Sequence, residues 1–547
     1  MNSHLLLRLN GFAEAIVDRF EKWKTWFLAG FSIMYLSVTC ILASRKLLWN
    51  DELYTYYISR LPSLTDVWAA LSTGAEQIPP LFYVITRASL ALFGTNNLTI
   101  RLPEVIGFWV MSLCLFRFVS KRSPAFFGFL AMLFPLFTNA YNYAYEARPY
   151  GLVLGFSGLA MLSWQSATER VNRQISLIGL ALSLAAAVSC HYYAVLIFIP
   201  LALAEAVRSY YLRRLDFPIW AALMLGATPL LGFLTLLQRA MVYSSAFWSK
   251  TQWMSIPEFY YVLLAPAVLP LTILLALSSI FPATINTLRQ NDKYPPHPYL
   301  HEMAAALGLM AIPIIAVTLS MVITGAFTDR YALQAVIGVS IVVAYGVRQL
   351  LGNRPVVAAI LMLFLCVSFL SLGIKSFTKI GEARKAQTQT VDFLRSVGTS
   401  DLPIAVTDQH EFINLAHNAP PDIASRLVYL ADPGKALYYL GHNSVEKGVV
   451  DLLKPWFHLP IEEYDRYIAS RKEFLVYGSA SHFLNWMLSD LTGNRRLIEL
   501  KGRNGDSLLF LVSHDSRPEN TTFDSSATEE RLRTGWLGDH QRGQTQR

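Results

Sequence analysis

The feature that most constrains this chain is a succession of apolar stretches, each about 16 to 22 residues long, the length a helix needs to cross a hydrocarbon core with some tilt. They cover residues 26–42, 102–118, 125–144, 149–164, 175–190, 192–207, 219–237, 260–281, 303–324, 331–347 and 356–372. A chain with about eleven such stretches has the bilayer as its main solvent. Of its 547 residues 53% are hydrophobic and only 15% charged, against about 25% charged in soluble domains. The formal net charge of +8 points to basic cytoplasmic loops rather than to nucleic acid, since no basic stripe or recognition motif accompanies it. Cys40, Cys114, Cys190 and Cys366 each lie in or at the end of an apolar stretch, which suggests neither a disulfide framework nor a zinc site.

Residues 1–25 repeat apolar side chains at helical spacing with Arg8, Asp18, Arg19 and Lys22 between them, and read as an amphipathic helix on the cytoplasmic surface. The run 81–93 is too short to count as a span, and Arg87 interrupts it; it reads as re-entrant or interfacial. That choice decides sidedness. If 81–93 does not cross, Lys121/Arg122, Arg170/Arg173, Arg208/Arg213/Arg214, Arg289/Lys293 and Arg348/Arg354 all fall on one side, as the positive-inside rule requires. The N-terminus is then inside, and the residues beyond 372 are outside. Residues 374–517 alternate short apolar runs (403–406, 474–477, 507–512) with helical and turn-rich segments, which predicts a small extracytoplasmic α/β domain. The polar tail 518–547 is expected to be disordered.

With this sidedness the ionisable residues of the outward face come from separate loops: Asp51 and Glu52 in the first outer loop (43–101), Glu146 and Arg148, His191, then Asp329 and Arg330 beside Tyr331. A bundle brings such loop ends together at headgroup height. Each residue also has a plainer reading. Acids flank spans because water is there, Arg330–Tyr331 suits a headgroup anchor, His191 suits a structural hydrogen bond, and Glu146 with Arg148 suits a local ion pair. The aromatic residues Tyr243, Phe247, Trp248 and Trp253 fit a sugar or polyprenyl contact and an interfacial belt equally well.

The order of motifs along the chain adds to this. Leu47-Leu48-Trp49-Asn50-Asp51-Glu52, then Tyr54, Tyr56, Ile58 and Arg60, Gln77-Ile78-Pro79-Pro80-Leu81-Phe82-Tyr83, Leu92-Phe93-Gly94 and Arg101-Leu102-Pro103 resemble the N-terminal half of bacterial GT-C glycosyltransferases. These include the lipid A aminoarabinose transferases, the protein O-mannosyltransferases and the Rgt-type lipopolysaccharide core transferases. Glu146-Ala147-Arg148-Pro149-Tyr150, His191-Tyr192-Tyr193 and Arg330-Tyr331 look closest to the Rgt-like branch. The resemblance spans most of residues 26–350. It implies a GT-C transmembrane catalytic domain over 26–373, a polyprenyl-phosphate sugar donor, and a lipid, glycan or protein acceptor at the outer face of the cytoplasmic membrane. The family's catalytic Asp carries over to Asp51, with Glu52 beside it. Ile78-Pro79 stands where the aminoarabinose transferases have Lys-Pro, so their phosphate-contacting Lys is missing. Their acidic residue of the second outer loop falls nearest Arg148, which leaves Glu146 as an inexact substitute.

The expected chemistry follows. A sugar on a lipid phosphate already carries a good leaving group, so one carboxylate to take the acceptor proton and cations for the departing phosphate suffice. Asp51 suits the first role; Arg148, Arg330 and His191 suit the second, with Glu52, Glu146 and Tyr331 around them. Direct attack inverts the anomeric carbon. No tight carboxylate cluster is visible, so metal independence is expected, although some GT-C enzymes use a divalent cation with paired acids. The rival reading is a transporter or flippase of lipid-linked sugars. It predicts inverted repeats and charges near mid-membrane, whereas here the ionisable groups gather at one face.

Overall fold

The computed structural model describes residues 19, 21–243, 251–280, 298–325, 327–351, 355–397, 401–479, 486–493 and 496–513. The expected surface helix over 1–25, Phe247 and Trp248, Arg289 and Lys293, Arg354 and the tail 518–547 fall wholly or largely outside these. The chain divides into two compact units, Met1–Arg384 and Lys385–Arg547.

The first unit is helical, and every apolar stretch read from the sequence becomes helix. Among the described residues six helical segments are long and apolar enough to cross a membrane: Lys24–Arg45, Leu102–Ser120, Arg173–Cys190, Tyr192–Leu212, Ser255–Ala276 and Ile360–Val397. Three further stretches are broken. Ala125–Phe137 meets Asn139–Tyr145 at 79°, Phe217–Gly232 meets Leu234–Met241 at 59°, and Leu300–Met310 meets Ile312–Ile323 at 46°. A proline lies within four residues of each break (Pro135, Pro229, Pro313), where it removes a backbone donor and crowds the preceding turn. The remaining two stretches form Tyr150–Thr168, 19 residues, and Ala335–Leu351, 17 residues, which do not reach that length or apolarity. Against the expected count of about eleven, the described residues hold six such segments, or up to nine if each bent pair is one span. The stretch at 331 starts late because residues Asp329–Ala332 form a separate 3-10 turn. The run at 81 is a 14-residue helix, Pro80–Phe93. Its Arg87 donates to the carbonyls of Ser59, Leu61 and Pro62, which ties it to the neighbouring outer-loop helices.

Two helices set the frame for the site. Leu102–Ser120 and Tyr150–Thr168 run parallel in backbone contact: a Cβ on Gly107 would meet the Gly151 carbonyl oxygen at 2.5 Å, and one on Gly155 would meet the Gly107 oxygen at 2.5 Å. Small residues at helical spacing allow this close approach, and with it many dispersion contacts where lipid offers no hydrophobic drive. Both helices begin at the end where Arg101 and Arg148 lie.

The second unit carries a six-stranded sheet: β1 Ile404–Val406, β2 Leu427–Ala431, β3 Ile461–Glu463, β4 Glu473–Ser479, β5 Leu497–Asn504 and β6 Ser507–Ser513, in the order β3-β2-β1-β4-β6-β5. β3, β2, β1 and β4 are parallel, and β6 and β5 continue the sheet antiparallel. β1 and β2 are buried along their whole length, as strands covered on both faces must be. The three apolar runs seen in the sequence are β1, β4 and β6. The expected boundary at 374 gives way to a continuous helix, Pro355–Val397, and the division falls at Lys385 instead.

Candidate active site

The chain leaves Lys24–Arg45, turns, and restarts as the helix Asn50–Ser59, whose first turn holds Asp51 and Glu52. Two acids at a helix N-terminus complement its partial positive charge, and successive residues on a helix point about 100° apart. The pair therefore diverges.

Glu52 turns inward and is fully buried. Arg101 grips it bidentately, Nε to Oε1 at 2.6 Å and Nη2 to Oε2 at 2.6 Å, and the Ala147 amide donates to Oε1 at 2.6 Å. The rest of the Arg101 guanidinium donates to the carbonyls of Ala43, Lys46 and Leu47 at 2.6, 2.7 and 2.9 Å, closing the C-terminal end of the preceding helix. Burial pushes the Glu52 carboxyl up, but the charges of Arg101 and Lys46 and these hydrogen bonds outweigh it and hold the group below the usual carboxylate range.

Asp51 keeps its side chain partly exposed, at 17%. Arg330 Nη1 donates to Oδ2 at 2.5 Å, and Arg148 Nε lies 3.9 Å from the same oxygen. Arg148 also donates to the Asp51 carbonyl at 3.1 Å and to both oxygens of Glu76 at 3.2 and 3.4 Å. Two arginines from two distant loops thus converge on one carboxylate. Neither Nε has a hydrogen-bond partner, and a buried unmatched donor calls for an explanation.

Glu146 pairs with Lys46 Nζ at 3.3 Å through Oε2, while its Oε1 has no hydrogen-bond partner. Burial raises its proton affinity and Lys46 only partly offsets this. His191 occupies the turn between two helices, with its ring centroid 5.3 Å from that of Tyr150 and 5.2 Å from that of Tyr331; Tyr331 stacks on Tyr193 at 4.6 Å. Burial, with Arg148 and Arg330 nearby, pulls its pKa down to about 3. At such a pKa the ring carries no charge near pH 7, since burial and two neighbouring guanidinium groups disfavour a third cation.

Of the outward-face residues singled out in the sequence, Asp51, Glu52, Glu146, Arg148, His191, Arg330 and Tyr331 come together here, while Asp329 makes no ion pair among the described residues. Sequence reasoning missed Glu76, Lys46 and the anchoring role of Arg101. Glu76 stands directly before the Gln77-Ile78-Pro79-Pro80 motif, and an acid inside an otherwise amphipathic loop was the available signal. Among the described residues no three His, Cys, Asp or Glu side chains group to hold a metal ion.

The fold has solved counterparts. The crystal structure of ArnT from Cupriavidus metallidurans in the apo state matches with a TM-score of 0.55 at 13% identity, over 89% of this chain and 98% of that one. ArnT of the same organism bound to undecaprenyl phosphate matches with a TM-score of 0.55 at 12% identity, over 90% of this chain and 100% of the other. The fold is GT-C. At such identity the likeness is one of fold, and nothing in it singles out the Rgt-like branch. No family model matches the sequence, and no curated protein matches it. A GT-C fold and the apolar helices make this a multi-pass membrane protein.

Proposed function

We propose that this chain is a membrane glycosyltransferase that moves a sugar from a polyprenyl-phosphate carrier to a lipid, glycan or protein acceptor at the outer face of the cytoplasmic membrane. The observation that carries this reading is Asp51, a partly exposed carboxylate held by Arg330 and Arg148, in a GT-C fold whose counterpart ArnT has been solved with undecaprenyl phosphate.

In the proposed reaction the acceptor's nucleophile attacks the anomeric carbon, its proton passes to Asp51, and the bond from that carbon to the phosphate oxygen breaks with inversion. Arg148 and Arg330 take the charge that develops on the leaving phosphate. Before the donor arrives these same arginines engage the Asp51 side chain. A phosphate competes for both guanidinium groups, and as they turn to it the Asp51 side chain becomes available to the acceptor's proton. Donor before acceptor is the order this implies. Glu52, saturated by Arg101 and Ala147, serves in this reading as scaffold rather than as a reacting group.

A second reading makes Glu146 the base, favoured by its raised proton affinity and its unmatched Oε1. Turnover of Asp51→Asn and Glu146→Gln separates the two, measured with purified enzyme, a panel of polyprenyl-phosphate sugars and membrane extract. Asp51→Asn is expected to lose about 10²- to 10⁴-fold in turnover with donor binding retained. Near-wild-type turnover in Asp51→Asn with loss in Glu146→Gln would transfer the role to Glu146, and no labelled product from any donor would sink the glycosyl-transfer reading.

A further inference from the structure

A second polar constellation lies at the far end of the two helices that frame the site. Leu102–Ser120 and Tyr150–Thr168 each have 19 residues, so their last turns lie about 28 Å from their first. That distance is close to the roughly 30 Å of a hydrocarbon core. It places the far ends at headgroup depth in the opposite leaflet. A cavity of about 390 Å³ opens there, within the size range of small-ligand sites, about 300–1,000 Å³.

Its polar lining is Arg117, Lys121, Arg122, Ser166 and Glu169, three cations against one carboxylate. Lys121 Nζ reaches Glu169 Oε2 at 2.9 Å and Ser166 Oγ at 3.0 Å. Arg122 also binds Glu169, and its Nε and Nη2 hold the buried Glu302 at 2.7 to 3.1 Å. Glu169 is therefore shared between two cations, and Arg117 makes no ion pair among the described residues. Two helix C-termini attract cations, which accounts for basic residues gathering here. It does not account for a surplus that the local acids leave uncompensated. The rest of the wall is apolar: Leu162, and Val171, which continues into the exposed stripe Ile175, Ile178 and Leu182 of the next helix.

Cations and a hydroxyl at headgroup depth, beside an apolar stripe running into the hydrocarbon layer, match a phosphate that carries acyl chains. We propose that this cavity binds the phosphate headgroup of an anionic phospholipid in the leaflet opposite the candidate active site, with its chains along Val171, Ile175 and Ile178. The site uses none of the residues assigned to glycosyl transfer and stands whether or not that reading holds.

The test is native mass spectrometry of the full-length protein in detergent, titrated with phosphatidylglycerol or with phosphatidylcholine, which has the same phosphate without net charge. Wild type is expected to retain one phosphatidylglycerol about tenfold more tightly than phosphatidylcholine. Arg117→Gln removes most of that preference, while Arg214→Gln, a change at an exposed basic residue outside the cavity, leaves it intact. Melting temperatures within error of wild type certify both folds, and Arg117→Ala is the substitute should Arg117→Gln fail that check. Equal retention of the two lipids by wild type, or a preference that survives the loss of Arg117, overturns the proposal. Displacement of phosphatidylglycerol by millimolar inorganic phosphate would also overturn it, since the cavity would then recognise a soluble anion.

Discussion

A carboxylate that is fully buried and accepts both edges of a guanidinium leaves a stranded charge behind when it is neutralised, and the cost of breaking such a pair is about 3–5 kcal/mol. Glu52 and Arg101 are in that position, each with no exposed side-chain surface. Glu52→Gln is therefore expected to destabilise the protein by about that amount, read as a fall in melting temperature in detergent, with activity lost through unfolding. Asp51→Asn leaves the melting temperature near wild type. The pH dependence has a definite sign. The folded Glu52 pKa lies below its unfolded value, so its contribution is complete above about pH 4.3 and is lost as pH falls through the folded pKa. A melting temperature that declines below pH 4 in wild type and stays flat there in Glu52→Gln checks it. His191 makes the opposite kind of statement. With its pKa near 3 it does not titrate between pH 5 and 8, so the kcat/KM profile over that range is expected to keep its shape in His191→Gln. A limb near pH 6.5 that disappears in the variant would show a histidine in its ordinary range. At this scale the sequence displayed which residues were polar and on which face. It did not display which acid was solvent-facing, because the arginines that distinguish Asp51 from Glu52 lie 49 to 279 positions away. Glu76 and Lys46 were hidden for the same reason, each becoming meaningful only once Arg148 or Glu146 is brought to it.

Apolar length at the scale of elements is a local property, and so the helices were legible while their shapes were not. The three bent stretches carry prolines, but proline alone does not fix whether a helix kinks or continues; Pro103, in the first turn of its helix, leaves it unbroken. The glycines of Tyr150–Thr168 become significant only with Gly107 opposite them. Gly155→Val is expected to cost at least about 1–3 kcal/mol, since its Cβ has only backbone to push against. Gly30→Ala, where nothing lies within 4 Å, is expected to be neutral or slightly stabilising. Comparing the two melting temperatures tests the packing, and a tolerated Gly155→Val would show that the helices separate more easily than their contact implies.

The whole molecule is a polarised object, with the acid-and-arginine network at one end of its central helices and the basic loops Lys121/Arg122 and Arg348 at the other. The loop charges predict that the network and the second unit face away from the cytoplasm. Alkaline phosphatase fused at the C-terminus of the full chain is expected to be active, and a fluorescent protein that folds only in the cytoplasm is expected to be dark. The reverse pattern would invert the sidedness and move the proposed reaction to the inner face. The sheet of the second unit was foreshadowed by three of its strands, β1, β4 and β6. β3 and β5 escaped notice because they carry no apolar run, whereas β2, five apolar residues long, was legible in the sequence and was passed over.

The glycine-lined contact between Leu102–Ser120 and Tyr150–Thr168 bears on how this protein meets membranes of different thickness. Bilayers that are thicker or thinner than a bundle are accommodated by tilting its helices, and helices joined through long side chains can slide as they tilt. Where Gly107 faces Gly151 and Gly155, these two touch through backbone. They are expected to tilt together as one plank, which would keep the spacing of Arg101 and Arg148 at its edge constant as the acyl chain length around it changes.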